Sequence, residues 1–212
     1  MTQLERRDQI IAIALAALAG YVDANGYLFS GGSFVSFMSG NSTKLGIALS
    51  TDIARATGIA TIIAGFIMGV ACATRGRLNT HLSRRALLAA IALVLLGATF
   101  GYRQGWAAIA TPGLASAMGA LNVVLAQDGK VRVGLTYMTG ALVRIGEMLG
   151  GNMESRASWG WNCALWAALV IGCALGAAAH SAFAPLALVP GALWCFGLAW
   201  LDGRVSPQSL PV

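Results

Sequence analysis

A chain of 212 residues with 57% hydrophobic and only 10% charged residues has a mean hydropathy of +0.71. Soluble domains run at about 45–50% apolar and about 25% charged, so a water-soluble globule of this composition is excluded and an integral membrane protein is expected. The net charge of +6 suggests no nucleic-acid partner, because the cations lie mostly between apolar runs, where they orient a chain in the bilayer.

Met1 to Asp8 is polar, with Arg6 and Arg7 just before the first apolar run. Ile10 to Phe29 is the first predicted span. A secretory signal peptide competes for it, with Ala17-Leu-Ala19 as the cleavage site; cleavage there would remove most of that span. Asp23 and Asn25 interrupt the run, and Gly31-Gly32 breaks it. Phe34-Val-Ser-Phe-Met-Ser-Gly-Asn-Ser-Thr-Lys-Leu-Gly46 follows. It is too polar for an ordinary spanning helix and too apolar for a surface loop. Asp52 and Arg55 mark a polar connection. Ala56 to Thr74 is the second span, carrying Gly65-x-x-x-Gly69, a spacing that lets helices approach closely in lipid.

Arg75 to Arg85 holds four further arginines and no acid. Ala86 to Phe100 is the third span, and Tyr102, Arg103 and Trp106 form an interfacial turn. Ile109 to Ala126 is the fourth, with Pro112 near its start and Asn122 deep within it. A polar turn, Gln127 to Val133, leads to a second polar–apolar segment ending at Gly151. Trp161 to Ala179 is the fifth span, carrying Gly172-x-x-x-Gly176. Ala184 to Leu201 is the sixth, with a kink expected at Pro190-Gly191.

The two odd segments match. Shifted by 100 residues, Phe37-Met-Ser-Gly-Asn-Ser-Thr-Lys-Leu-Gly46 lies over Tyr137-Met-Thr-Gly-Ala-Leu-Val-Arg-Ile-Gly146. Asn25 corresponds to Asn122, and Gly65 and Gly69 to Gly172 and Gly176. The chain therefore reads as one all-α polytopic membrane domain of two halves, 1–103 and 104–212. Positive charge marks the cytoplasmic side. The N-terminal arginines, the loop with Arg75, Arg77, Arg84 and Arg85, then Lys130, Arg132, Arg156 and Arg204 all fall on that side only if the segments 34–50 and 134–150 enter and leave by one face. Six transmembrane helices plus two re-entrant segments follow, with both termini cytoplasmic. Three spans per half make the halves inverted repeats.

Irregular backbone at membrane depth must be shielded or line a watery cavity. Ser39, Asn41 and Ser42, with Thr136 and Thr139 in the second copy, suit the N-caps of short helices. Two such helix ends meeting near the midplane would bind an anionic or polar solute. Asn25, Ser39, Asn41, Lys44, Asn122, Thr139 and Arg144 are the candidate solute-binding residues. Asn25 and Asn122 also suit plain helix–helix hydrogen bonding. Intramembrane cations cost about 2.5–3.5 kcal/mol on insertion scales and face partners or water. Asp23 and Glu147 are the available acids, as ion-pair clips to Lys44 and Arg144 or as carriers of a coupling proton.

Cys72, Cys163, Cys173 and Cys195 lie singly in apolar runs and read as small packing residues. His81 and His180 are far apart, so no metal site, cofactor or catalytic constellation is expected.

Gly20-Tyr-Val-Asp-Ala-Asn-Gly-Tyr-Leu28, Phe34 to Gly46 and Thr136 to Gly146 resemble the YoaK-like family over nearly the whole chain. That resemblance implies a polytopic bacterial inner-membrane protein, often taken for a transporter, with no established substrate. Asn25 stands where an apolar residue is common in that family, and Leu121 where Gln is expected. The expected function is a small secondary transporter or channel for an anionic or polar solute, in the bacterial inner membrane, with a homo-oligomer allowed. A membrane scaffold or accessory subunit is the alternative, and a membrane enzyme built on Asp23 and Glu147 the third.

Overall fold

The computed structural model of the protein describes residues 6–127, 130–131, 138–152 and 159–204. In chain order these form α1 (Arg6–Phe29), α2 (Met38–Thr51), α3 (Ile53–Asn79), α4 (Arg84–Arg103), α5 (Ala107–Leu121), α6 (Met138–Leu149), α7 (Trp159–Phe183) and α8 (Val189–Arg204). The fold is helical. A two-residue antiparallel ladder, Ala126–Gln127 against Lys130–Val131, is a small departure from the all-α expectation. Thr136, Tyr137, Arg132, Glu154 and Arg156 lie outside the described residues.

Local chemistry sets the helix starts. The Asp52 carboxylate accepts the Arg55 N–H at 3.0 Å and caps α3, satisfying a donor that the helix itself cannot pair. Ser83 does the same for α4, accepting from the Ala86 N–H at 3.1 Å. Pro190 stands in the first turn of α8, after a 3₁₀ turn over Leu186–Leu188. Proline is tolerated in a first turn because that N–H lacks a helical partner. The expected kink is thus a helix start.

The fourth predicted span is broken. α5 ends at Leu121, and Asn122, Val123 and Val124 donate to the carbonyls of Gly119, Ala120 and Leu121 at 3.0–3.2 Å. These tighter bonds end the helix inside the protein, where Val123, Val124 and Leu125 are buried. Irregular backbone is tolerated there because protein, not lipid, surrounds it.

Helices α1, α3, α4 and α7 are long and apolar enough to cross a membrane. α2 has 14 residues and α6 has 12, so at 1.5 Å per residue both fall well short of a hydrocarbon core of about 30 Å; α5 with 15 and α8 with 16 are shorter apolar helices that also do not reach it alone. α1 is the central helix, with Leu15, Leu18 and Val22 fully buried. α3 and α7 present Ile67, Met68, Trp166 and Ile171 outward, the apolar exposure that lipid would cover.

The helix pairings are reciprocal. α1 packs on α7 and α3 packs on α5, so the first predicted span of each predicted half lies on the second predicted span of the other. α4 packs on α8, α2 on α3 and α6 on α7. Both Gly-x-x-x-Gly pairs sit at these crossings. A Cβ on Gly65 would lie 2.5 Å from the Pro112 carbonyl oxygen, and one on Gly69 1.9 Å from that of Ser116. A Cβ on Gly172 would lie 1.9 Å from the Ala17 oxygen, and one on Gly176 2.3 Å from that of Tyr21. Backbone meets backbone, and any side chain would force the helices apart.

The bundle has two chemically distinct ends. At one, Arg84 bonds Asp8 at 2.9 Å and reaches Asp202 at 3.5 Å, while Arg7 bonds Asp202 at 3.0 Å. These ties join the starts of α1 and α4 to the end of α8. At the other end, Phe29 stacks on Tyr102 with centroids 4.3 Å apart and meets His180 edge-on at 4.4 Å. The Tyr102 and Thr111 hydroxyls share a hydrogen bond of 2.9 Å. This cluster joins the ends of α1, α4 and α7 to the start of α5.

Candidate functional site

The segment between α1 and α2 folds back onto α1. Gly31 and Gly32 have φ of 68° and 111°, conformations that favour residues without a Cβ. The returning chain seats Val35, fully buried, against Gly26, where a Cβ would lie 2.6 Å from a Val35 methyl. Three side chains then fasten the segment.

The first is Asp23. Its Oδ1 accepts the backbone N–H of Val35 at 2.8 Å and of Ser36 at 2.7 Å. The second is Asn41, fully buried on α2. Its Oδ1 accepts the Phe34 N–H at 2.9 Å, and its Nδ2 donates to the Phe34 carbonyl at 2.6 Å. This amide pairs both backbone groups of one residue, as a neighbouring strand would. The third is Lys44, whose ammonium donates to the Gly32 carbonyl. It lies 4.6 Å from the Tyr27 ring centroid and 4.4 Å from that of Phe34, close enough for cation–π attraction to both.

Two sequence expectations change here. The predicted Asp23–Lys44 ion pair is not formed: Asp23 is committed to backbone N–H groups, and Lys44 to a carbonyl and two rings. The predicted capping of α2 by Ser39, Asn41 or Ser42 also fails. The capping position is Phe37, without a side-chain capping bond, and the Ser42 hydroxyl donates back to the Met38 carbonyl at 2.9 Å. Instead, the Asp23 carboxylate stands just ahead of α2, where an anion is favoured by the unpaired N–H groups and the helix dipole.

The other predicted residues lie elsewhere. Asn25 is fully buried between α1 and α7, its Nδ2 donating to the carbonyls of Tyr21 at 2.9 Å and Gly176 at 3.1 Å. Its Oδ1 is buried without a hydrogen-bond partner among the described residues. Asn122 donates to the Met118 carbonyl at 2.9 Å, the same four-residue reach. Ser39 is exposed on α2; Thr139, Arg144 and Glu147 are exposed on α6. The structure thus brings Asp23, Asn41 and Lys44 together and leaves the second-half residues outside that cluster. Among the described residues, no three His, Cys, Asp or Glu side chains are grouped to hold a metal ion.

Sequence pattern gives Arg55 no role beyond a polar connection. The structure sets it at the mouth of a pocket of about 280 Å³ between the end of α1, the start of α3 and the start of α5. The available signal is its position: an arginine on the end of the bundle opposite most of the others.

A family model described as a protein of unknown function (DUF1275) matches residues 11–201. A UPF0700 transmembrane protein of Rhizobium meliloti (strain 1021) is 36% identical over 152 residues, covering 69% of this chain. The match spans 65% of that relative's length, slightly under two thirds. No solved structure matches.

Proposed function

The chain belongs to the family described as protein of unknown function DUF1275, and from that premise we propose that it is a small secondary transporter or channel for an anionic or polar solute. The reciprocal packing carries this reading: α1 on α7 and α3 on α5, with a short helix lying on the second spanning helix of each half. Two helical units packed in this way, each with a short helix, support a reading in which two repeats rock about a site near the midplane. In this reading α1, α3, α4 and α7 are full-length spans, the shorter α5 with the buried turns after it and α8 with the 3₁₀ turn before it complete six crossings, and α2 and α6 are re-entrant from opposite faces. Arg7, Arg75, Arg77, Arg84 and Arg85 mark the cytoplasmic side of a bacterial inner membrane, so both termini are cytoplasmic. The Asp23 carboxylate already fills the N-terminal end of α2, so a solute anion is met by cations rather than by that helix end.

The test is flux. Purified protein reconstituted in vesicles is expected to move at least one solute from a panel of small anions and polar metabolites, and Lys44→Ala is expected to slow it. Neither flux nor thermal stabilisation by any of the panel would sink the proposal.

A second reading is favoured by one observation. Asp23, Asn41 and Lys44 are all engaged with the protein's own backbone, as clips in a membrane scaffold would be. That reading expects a stable protein partner to co-purify from native membranes, and no flux.

A further inference from the structure

We propose that the pocket at the Arg55 end of the bundle is a binding site for a small organic carboxylate with an apolar body. It deepens the transport reading and rests on it only for the claim that such a solute enters here. The pocket, about 280 Å³, is lined by Ser33, Arg55, Thr61 and Thr111 on its polar side and by Phe29 and Ile62 on its apolar side.

Two donors in it, Arg55 and Ser33, are open, and Thr111 can supply a third. The Arg55 guanidinium is exposed, with no hydrogen-bond or ion-pair partner among the described residues. The nearest acid in sequence, Asp52, is occupied in capping α3, and the lining contains no acid. The Ser33 hydroxyl makes no hydrogen bond among the described residues; only its backbone groups are engaged, both with Ser30. When the Tyr102 hydroxyl donates to Thr111, the Thr111 proton is left to point elsewhere. Thr61 is different, since its hydroxyl donates to the Gly58 carbonyl at 2.7 Å.

A planar guanidinium fork recognises a carboxylate by two parallel N–H bonds. Single hydroxyl donors add to it from the side. Phe29, Ile62 and Pro112 form an apolar wall suited to the rest of the molecule, in keeping with ligand sites that combine apolar lining and few placed polar groups. Lys44 is tied to the carbonyl of Gly32, between the lining residues Gly31 and Ser33, and its charge adds positive potential that draws anions to this mouth.

The experiment uses benzoate as probe and uncharged benzamide as control, titrated calorimetrically into the full chain in phosphatidylcholine nanodiscs. Benzoate is expected to bind, and benzamide to bind at least about tenfold more weakly, as expected for loss of charge-assisted hydrogen bonds. Arg55→Ala is expected to weaken benzoate by at least about tenfold, with Arg55→Lys between the two. Gly58 also lines the pocket, and a Cβ there meets nothing within 4 Å. Gly58→Leu should therefore fill the pocket, abolishing benzoate binding with the thermal midpoint unchanged or raised, since it replaces a glycine inside α3. Equal binding of benzoate and benzamide, or unchanged binding in Arg55→Ala, overturns the proposal. Absence of benzoate binding together with Arg55-dependent stabilisation by phosphatidylglycerol overturns it too, in favour of a lipid headgroup. Benzoate binding without flux of any solute would leave this site standing and remove the transport reading; flux together with unchanged benzoate binding in Arg55→Ala would do the reverse.

Discussion

The Asp23 carboxylate on α1 accepts the backbone N–H of Ser36 at 2.7 Å. With the Val35 N–H also bound at 2.8 Å, one half-buried acid holds the segment that leads into α2. A buried N–H left without a partner costs about 1–3 kcal/mol. Asp23→Ala is therefore expected to lower stability by at least about that much, read by thermal unfolding in detergent. Asp23→Asn keeps one acceptor oxygen and should lose clearly less. Equal stability of Asp23→Ala and the parent protein would remove Asp23 from this role.

The glycines at the helix crossings give a paired prediction. Gly69→Ala and Gly172→Ala each place a methyl 1.9 Å from a backbone oxygen, and overpacking of this kind typically costs about 1–3 kcal/mol. Gly46 and Gly97 are helical glycines with open space where a Cβ would go. Gly46→Ala and Gly97→Ala should be neutral or stabilising by up to about 1 kcal/mol. Melting midpoints of the four variants check this, and no separation between the pairs would contradict the close crossings.

Arg84 binds Asp8 and reaches Asp202, with 17% of its side chain exposed. Arg84→Ala leaves two carboxylates without that donor. A loss of about 1.5–3 kcal/mol is expected, the range for hydrogen bonds to charged groups. High salt should shrink the difference little, because partly buried pairs are weakly screened. A difference that vanishes in high salt would mark the network as a solvated surface feature.

Asn25 makes a different case. Its amide donates twice, but its buried oxygen has no partner among the described residues. Losing the donors and the orphan acceptor together is nearly balanced. Asn25→Val should change stability by less than about 1 kcal/mol by thermal unfolding, whereas loss of the fold would show the amide to be essential.

Much of this architecture was legible in the sequence, because it rests on periodic or repeated signals. Apolar runs located the helices, and the 100-residue shift located α2 and α6. The spacings Gly65-x-x-x-Gly69 and Gly172-x-x-x-Gly176 pointed to close crossings, which the contacts with Ser116 and Ala17 bear out. The partners of Asp23 and Lys44 were not legible. Charge pairing by type suggested each to the other, but both are met by backbone and rings, which every sequence carries and no motif marks. The early end of α5 was hidden likewise: Leu121-Asn-Val-Val-Leu125 is apolar enough to continue a helix, and only burial in protein permits the break. Arg55 was overlooked because its sequence neighbours suit a turn, while its pocket is made by α1 and α5.

The central claim is that α2 and α6 are re-entrant from opposite faces. Ser39 and Thr139 are equivalent, exposed and small, so single cysteines there, in a background without the four native cysteines, disturb little. Membrane-impermeant thiol reagents applied to intact cells and to inverted vesicles read the face of each. Labelling of Ser39→Cys from outside only, and of Thr139→Cys from inside only, is the predicted result. Labelling of both from the same face would contradict the inverted arrangement.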